Sequence, residues 1–313
     1  MKIDKVYIAC HKHDLRLTRI CLASIRYWYP EIPIYLIKDL FNGDFSTAEL
    51  ERTWNVRVFD TSNRIFGWGM SKLEPVFRDE GSRFLVLDSD TVFTGRVLDR
   101  LDQFSEDFVV HFEKQTAQRV KEIYFDLNKL REVDSGFVYR GDTFNTGQYV
   151  ATGGLLRRED FSGVNWETSP PSLRHPEIFK NGEQGILNYV LLKKAAAGEL
   201  TIAGEAFMRW PGYGIDDIDI EKFNHASPYL NVIHWAGLTR PRISAMIRSD
   251  ILSFFENYYY SRISMGMLLR GWRNFSKQAS DLKAQTRRRL LTSRPDSQKL
   301  ALGRAAAGSF NSK

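Results

Sequence analysis

The run Phe84-Leu85-Val86-Leu87 is apolar at every position and ends in Asp88-Ser89-Asp90. Four consecutive apolar residues suit a central strand covered on both faces. Two carboxylates at i and i+2 would share one face if that strand continued, crowding like charges against a covering helix. The chain is therefore expected to turn at Asp88, where both carboxylates reach solvent. In open α/β sheets ligands bind at the carboxyl edge. Two aspartates there make a hard oxygen site suited to Mg²⁺ or Mn²⁺, which would in turn hold a diphosphate. The bland alternative is an ordinary acidic turn after a strand.

A different chemistry fits the same residues. Leu87-Asp88-Ser89-Asp90-Thr91-Val92 also matches the apolar-D-x-D-x-[TV] pattern of haloacid-dehalogenase-like phosphatases, in which Asp88 would be the nucleophile and Asp90 the acid/base. That chemistry needs a second acidic cluster after a later strand. Asp216-Asp217 is the close candidate, but it follows the turn-like Trp210-Pro211-Gly212-Tyr213-Gly214.

The elements that would position these residues alternate as parallel βα units do. Strands are expected at Lys5 to Ala9, Ile34 to Ile37, Val56 to Phe59, Arg83 to Leu87 and Phe108 to His111. Helices are expected at Leu15 to Trp28, Thr47 to Trp54 and Lys72 to Arg78. A loop with one short helix covers Gln115 to Phe137, and further strands fall at Tyr149 to Leu156 and Asn231 to Trp235. Between those two, Asn181-Gly182-Glu183 leads into an apolar helix, Gln184 to Ala197. At 313 residues the chain buries enough surface to fold without a metal or disulfide staple, so a metal here is expected to be functional. Cys10 and Cys21 have neither disulfide density nor zinc spacing and read as small buried hydrophobes. The apolar run Val6 to Cys10 is too short for a signal peptide core, and no stretch approaches the length of a membrane span. A cytoplasmic location is expected.

Net charge is +6, yet the residues from Pro241 onward carry 14 Lys and Arg against 4 Asp and Glu. The preceding body is therefore mildly acidic, which argues against a nucleic-acid partner. In the basic segment Ile247, Ile251, Phe254, Phe255 and Tyr258 recur at helical spacing. Met265, Met267, Leu268, Leu269 and Trp272 follow, among Arg262, Arg270 and Arg273. The first stripe could pack on the preceding domain or join the later residues in meeting an anionic membrane surface.

Four ordered elements resemble the retaining GT-A-fold glycosyltransferases of family 8. They are the strand with Asp88-Ser89-Asp90, then Phe144-Asn145-Thr146-Gly147 (FN-x-G), then Glu183-Gln184-Gly185-Ile186-Leu187-Asn188 (DQ-x-x-LN), and last Ile233-His234-Trp235-Ala236-Gly237 with Arg240-Pro241 (H-x-x-G-x-x-K-P). The resemblance implies a mostly parallel α/β catalytic domain over residues 1–242 and a helical basic extension over 243–313. It implies that Asp88, Asp90 and His234 coordinate Mn²⁺ or Mg²⁺, whereas alone His234 would read as a core histidine. Ala9, Lys72, Asp88, Ser89, Asn145, Gly237 and Arg240 would contact the nucleotide-sugar donor, with Arg240 clamping the diphosphate. The catalytic pair would be Gln184 and Glu183. For Lys72 a solvated face, for Asn145 a turn, and for Glu183 and Gln184 a plain helix start remain alternatives.

Besides Arg240 where the family usually has Lys, the chain departs from the family's pattern in three places. Glu183 replaces Asp, Arg242 replaces an aromatic, and Cys10-His11-Lys12-His13-Asp14 replaces the loop that holds the uracil. The implied activity is hexose transfer from a UDP-sugar to a glycan or glycolipid acceptor in cell-envelope polysaccharide or lipopolysaccharide assembly. A phosphatase and a catalytically silent sugar-nucleotide or glycan binder are the other classes.

Overall fold

Alternating apolar runs and helices build a mostly parallel sheet in the computed structural model, which describes residues 1–292 except 68, 225–226 and 238–240, with backbone alone at 280–285 and 287–292. The strands are β1 (Lys5–His11), β2 (Ile34–Asp39), β3 (Arg57–Val58), β4 (Arg83–Asp88), β5 (Thr91–Phe93), β6 (Phe108–Lys114), β7 (Asp142–Thr152), β8 (Val164–Asn165), β9 (Ser172–Leu173), β10 (Ile202–Gly204), β11 (Met208–Arg209) and β12 (Val232–His234). Seven of them form one sheet in the order β10-β6-β7-β4-β1-β2-β3. β3, β2, β1 and β4 are parallel neighbours, β10 is parallel to β6, and β7 runs against both β4 and β6. A second, small sheet joins β11, β12 and β5.

Register decides what meets at the carboxyl edge. Ala9 of β1 pairs with Asp88 of β4, and His11 pairs with Asp39 of β2. Because β7 is antiparallel to β4 and pairs Gln148 with Leu87, its early residues Asn145 and Thr146 arrive at that same edge. β4 is buried from Arg83 to Leu87, as the unbroken apolar run requires. Helix Glu183–Ala196 packs beside β7, burying Ile186, Leu187, Val190 and Leu191 in the main core.

Two expectations are corrected. β7 begins at Asp142, not Tyr149, so Phe144-Asn145-Thr146-Gly147 lies on a strand, and Gly153-Gly154 follow its end. The polar residues Asp142, Thr143, Asn145, Thr146 and Gln148 hid its alternation. Gln115 to Phe137 holds two helices, Ala117–Ile123 and Leu127–Val133, where one was expected. Each carries a side-chain cap, Thr116 accepting from the Arg119 amide and Asp126 from those of Asn128 and Lys129.

The chain divides into two units, Met1–Tyr259 and the residues from Tyr260 onward. The first unit ends within helix Ser249–Ser261. Its Ile251, Leu252 and Phe255 are buried, Tyr27 meets Phe254, Phe255 and Tyr258 edge-on, and Trp54 stacks on Tyr259. Glu256 adds a 2.6 Å ion pair to Arg16. The first apolar stripe thus packs on the preceding domain, with one exception: Ile247 lies before the helix and is 60% exposed. In the second unit, helix Gly266–Thr292 carries exposed Leu268, Trp272 and Phe275, preceded by exposed Met265. Among the described residues no helix is long and apolar enough to cross a membrane.

Candidate active site

Asp88 ends β4, and Ser89-Asp90 turn the chain into β5, as like-charge crowding predicts. β5 then pairs antiparallel with β12, setting Thr91 opposite His234 and bringing a residue from far along the chain to the acidic turn. His234 Nε2 lies 3.1 Å from Asp90 Oδ1 and 3.9 Å from Asp88 Oδ2. One ligand atom from each of the three falls within 4.8 Å of the others. Ligands on an octahedral ion with bonds near 2.1 Å sit about 3 Å apart when adjacent and about 4.2 Å apart when opposite, so the spacing suits one small divalent ion. Two carboxylates and an imidazole match Mn²⁺ or Mg²⁺ in chemistry as well. Asp90 and His234 are buried, while Asp88 is about a third open.

A cavity of about 620 Å³ opens on this cluster, lined among others by Ala9, Ser89, Asp88, Asp90, Lys72 and Gly237. Lys72 is no solvated lysine. It is 3% exposed, and its Nζ reaches Glu183 Oε1 at 2.5 Å, Asp88 Oδ1 at 2.9 Å and the Thr146 carbonyl at 3.0 Å. Burial works against the ammonium, but the Asp88 and Glu183 carboxylates outweigh it and hold Lys72 above its ordinary pKa. Burial pushes the Glu183 carboxyl up, Lys72 draws it back, and Asp88 adds to the rise. Glu183 also accepts from Thr146 Oγ1 at 2.7 Å. Room for it comes from Gly69, where a Cβ would sit 2.1 Å from Glu183 Oε2 and where φ is +76°, a backbone that glycine tolerates.

Gln184 follows Glu183 into the cavity, and its Oε1 accepts from Asn145 Nδ2 at 3.2 Å. Asn145 lines a second cavity of about 650 Å³, together with Glu113, Trp210, Tyr213, Trp235 and Met246. The Asn145–Gln184 hydrogen bond therefore stands between two adjoining cavities. Tyr213, on the Gly/Pro-rich turn, is 81% exposed.

Of the residues singled out from sequence, Ala9, Lys72, Asp88, Ser89, Asp90, Glu183, Gln184 and Gly237 line the first cavity, with Asn145 at the partition and His234 against the acidic pair. Arg240 lies outside the described residues. Asp216 and Asp217 line neither cavity, and Asp217 pairs with Arg209 at 2.7 Å, so they do not complete a phosphatase site. Sequence reasoning missed Gly69 and Trp210, and also Asp39 at the end of β2 and Phe41 in the turn after it, which line the first cavity. The rule that ligands bind at the carboxyl ends of parallel strands would have flagged Asp39.

With a mostly parallel sheet, an acidic turn at the carboxyl end of β4 and a histidine returned to it by a small second sheet, the fold is that of the GT-A glycosyltransferases. Three solved structures illustrate the likeness. The bifunctional glycosyltransferase WbbM, in its apo form, aligns with a TM-score of 0.55 and 14% identity over 83% of this chain and 52% of its own. The galactosyltransferase LgtC, in complex with donor and acceptor sugar analogues, aligns with a TM-score of 0.52 and 14% identity over 80% of this chain and 94% of its own. The glycosyltransferase GlyE of Streptococcus pneumoniae TIGR4 aligns with a TM-score of 0.50 and 15% identity over 87% of this chain and 64% of its own. The chain thus spans about half of WbbM and under two thirds of GlyE. At these identities the likeness is one of fold. No family model and no curated protein sequence matches the chain.

Proposed function

We propose that the chain is a divalent-metal-dependent glycosyltransferase of the family 8 type, moving a hexose from a UDP-sugar to a glycan or glycolipid acceptor with retention of configuration, in envelope polysaccharide or lipopolysaccharide assembly. The observation that carries this reading is the Asp88–Asp90–His234 cluster opening on the cavity that holds Lys72, Glu183 and Gln184, within a GT-A fold. Asp88, Asp90 and His234 would hold a divalent ion, which when bound would supply Lewis-acid charge to the leaving diphosphate.

The chain's own groups supply the rest. Lys72, fixed between two carboxylates, presents a permanent positive charge beside Asp88. Glu183 is 4% exposed and engaged by Lys72 and Thr146, so it serves as the anchor of Lys72 and is poorly placed to deprotonate an acceptor. That favours retention, in which a diphosphate oxygen of the donor takes the acceptor's proton on the face it leaves. Gln184, half-buried and steadied by Asn145, turns a neutral carbonyl toward the charge that develops at the anomeric carbon. The second cavity would take the acceptor. Its aromatic walls, Trp210, Tyr213 and Trp235, suit the C–H faces of a pyranose, and Glu113, Gln115 and Arg119 suit its hydroxyls. The exposed apolar residues of helix Gly266–Thr292, in a segment rich in Lys and Arg, would meet an anionic membrane surface.

A panel of nucleotide sugars without acceptor tests this directly. UDP-sugars should be hydrolysed slowly with Mn²⁺ and neither bound nor cleaved with EDTA, and Asp90→Ala or His234→Ala should abolish the metal-dependent signal with the fold intact. Equal calorimetric affinity with and without metal would overturn the reading.

A further inference from the structure

A metal-binding histidine ordinarily donates its second ring N–H to a carboxylate, carbonyl or water, which sets both tautomer and ring plane. Among the described residues no protein group takes that bond from His234. Its Nε2 faces Asp90 and Asp88, but its buried Nδ1 has no hydrogen-bond partner among the described residues. The torsion that turns an imidazole about its Cβ–Cγ bond is broad, so packing must choose the plane.

Two neighbours do so. At Gly147 a Cβ would lie 2.2 Å from His234 Cε1 and 2.7 Å from Nδ1, so the ring rests on bare backbone. The Trp210 ring lies 5.4 Å from the imidazole, tilted only 22° from parallel. β11 and β12 put it there: Met208 pairs with Val232 and Arg209 with Ile233, and the next step in that parallel register is Trp210 beside His234. The indole is itself pinned. Its Nε1 donates to Glu113 Oε1 at 2.5 Å, and Glu113 Oε2 accepts from Gln115 Nε2 at 3.2 Å.

Granted the metal-dependent transferase proposed above, we propose that Trp210, anchored by Glu113, is the positioning residue that holds the His234 imidazole in its metal-binding plane. A coordinated imidazole is electron-poor and an indole face electron-rich, so the contact strengthens when the ligand is loaded. Trp210 also lines the second cavity, which makes it the wall shared by that cavity and the metal ligand.

The test uses the full chain with Mn²⁺ and UDP as probes. Free Mn²⁺ is counted by electron paramagnetic resonance, and the ¹⁴N modulation of bound Mn²⁺ reports the imidazole. Trp210→Ala should weaken Mn²⁺ binding about tenfold or more, the usual loss for an outer-shell partner, and reduce the ¹⁴N coupling. Trp210→Phe, which keeps a stacking face, should stay within about threefold of wild type. Glu113→Ala, remote from the ligand atoms, should give a smaller loss in the same direction and covers the case in which Trp210→Ala fails to fold. An alanine variant within about twofold of wild type and with unchanged ¹⁴N coupling would refute the proposal, as would a phenylalanine variant no better than alanine. Wild-type protein that binds UDP equally well with EDTA would instead sink the metal-dependent transferase, and the positioning role with it.

Discussion

Replacing Lys72 by methionine removes the one ammonium between Asp88 and Glu183 while keeping the length of the side chain. At contact distances of 2.9 and 2.5 Å each pair has roughly 6 kcal/mol of Coulomb attraction at an effective dielectric of about 20. Desolvation offsets most of that, and breaking a buried pair from one side costs about 3–5 kcal/mol. Asp88 regains water through its open third, so the cost falls mainly on Glu183. Protonation is its escape. With Lys72 gone, a Glu183 pKa already raised by burial and by Asp88 rises further, so the folded state binds more protons than the unfolded one between the two pKa values. Stability of the variant therefore falls as pH rises through that window and is partly restored as pH drops. We expect a loss of about 3 kcal/mol at pH 7, less at pH 5, and partial recovery in Lys72→Met with Glu183→Gln, where no buried charge is stranded. Urea unfolding followed by far-UV circular dichroism at both pH values measures it. A loss below about 1 kcal/mol at pH 7, or equal losses at both pH values, would show that the three groups do not share charge as described.

Gly147→Ala should displace His234 and weaken metal-dependent UDP binding at least tenfold, at a stability cost of about 1–3 kcal/mol, read by calorimetry and thermal melting. Gln184→Ala should lower turnover with little change in donor affinity, and product NMR should show the donor's anomeric configuration kept; an inverted product would mean the helix start is misassigned. Cys10 and Cys21 are buried, which pushes both thiols up to about 12, so at pH 8 roughly one in ten thousand is thiolate. Ellman's reagent should accordingly find neither in the native protein and both after denaturation. Truncation after Ser261 should sharply reduce co-sedimentation with anionic liposomes, as should high salt, whereas equal sedimentation of the two forms would dismiss the membrane contact.

Residues whose partners lie close in sequence could be read from it. Helix Leu15–Trp28 runs where the periodicity of its apolar residues puts it, and β4 ends where two aspartates could no longer share a strand face. Both follow from a repeat of a few residues acting on the local backbone. Asn145, Glu183, Gln184 and His234 stand out by type and order, yet nothing local tells a histidine set against two aspartates from one packed in the core, or a buried lysine from a solvated one.

What only the tertiary structure decided was proximity across the chain. Lys72 meets Glu183 because β7 and helix Glu183–Ala196 fold back onto the carboxyl edge, and Gly69 is glycine because that carboxylate comes within bonding distance of any Cβ there. β7 escaped notice where polar residues serving the site interrupted its alternation. Trp210 acquired its place from a two-residue strand too short to carry a pattern. Composition and periodicity select which face of an element is buried, since burial is a property of each residue in its own element. Which side chains touch is set by the register between strands, and a register is shared by two segments that carry no local record of one another.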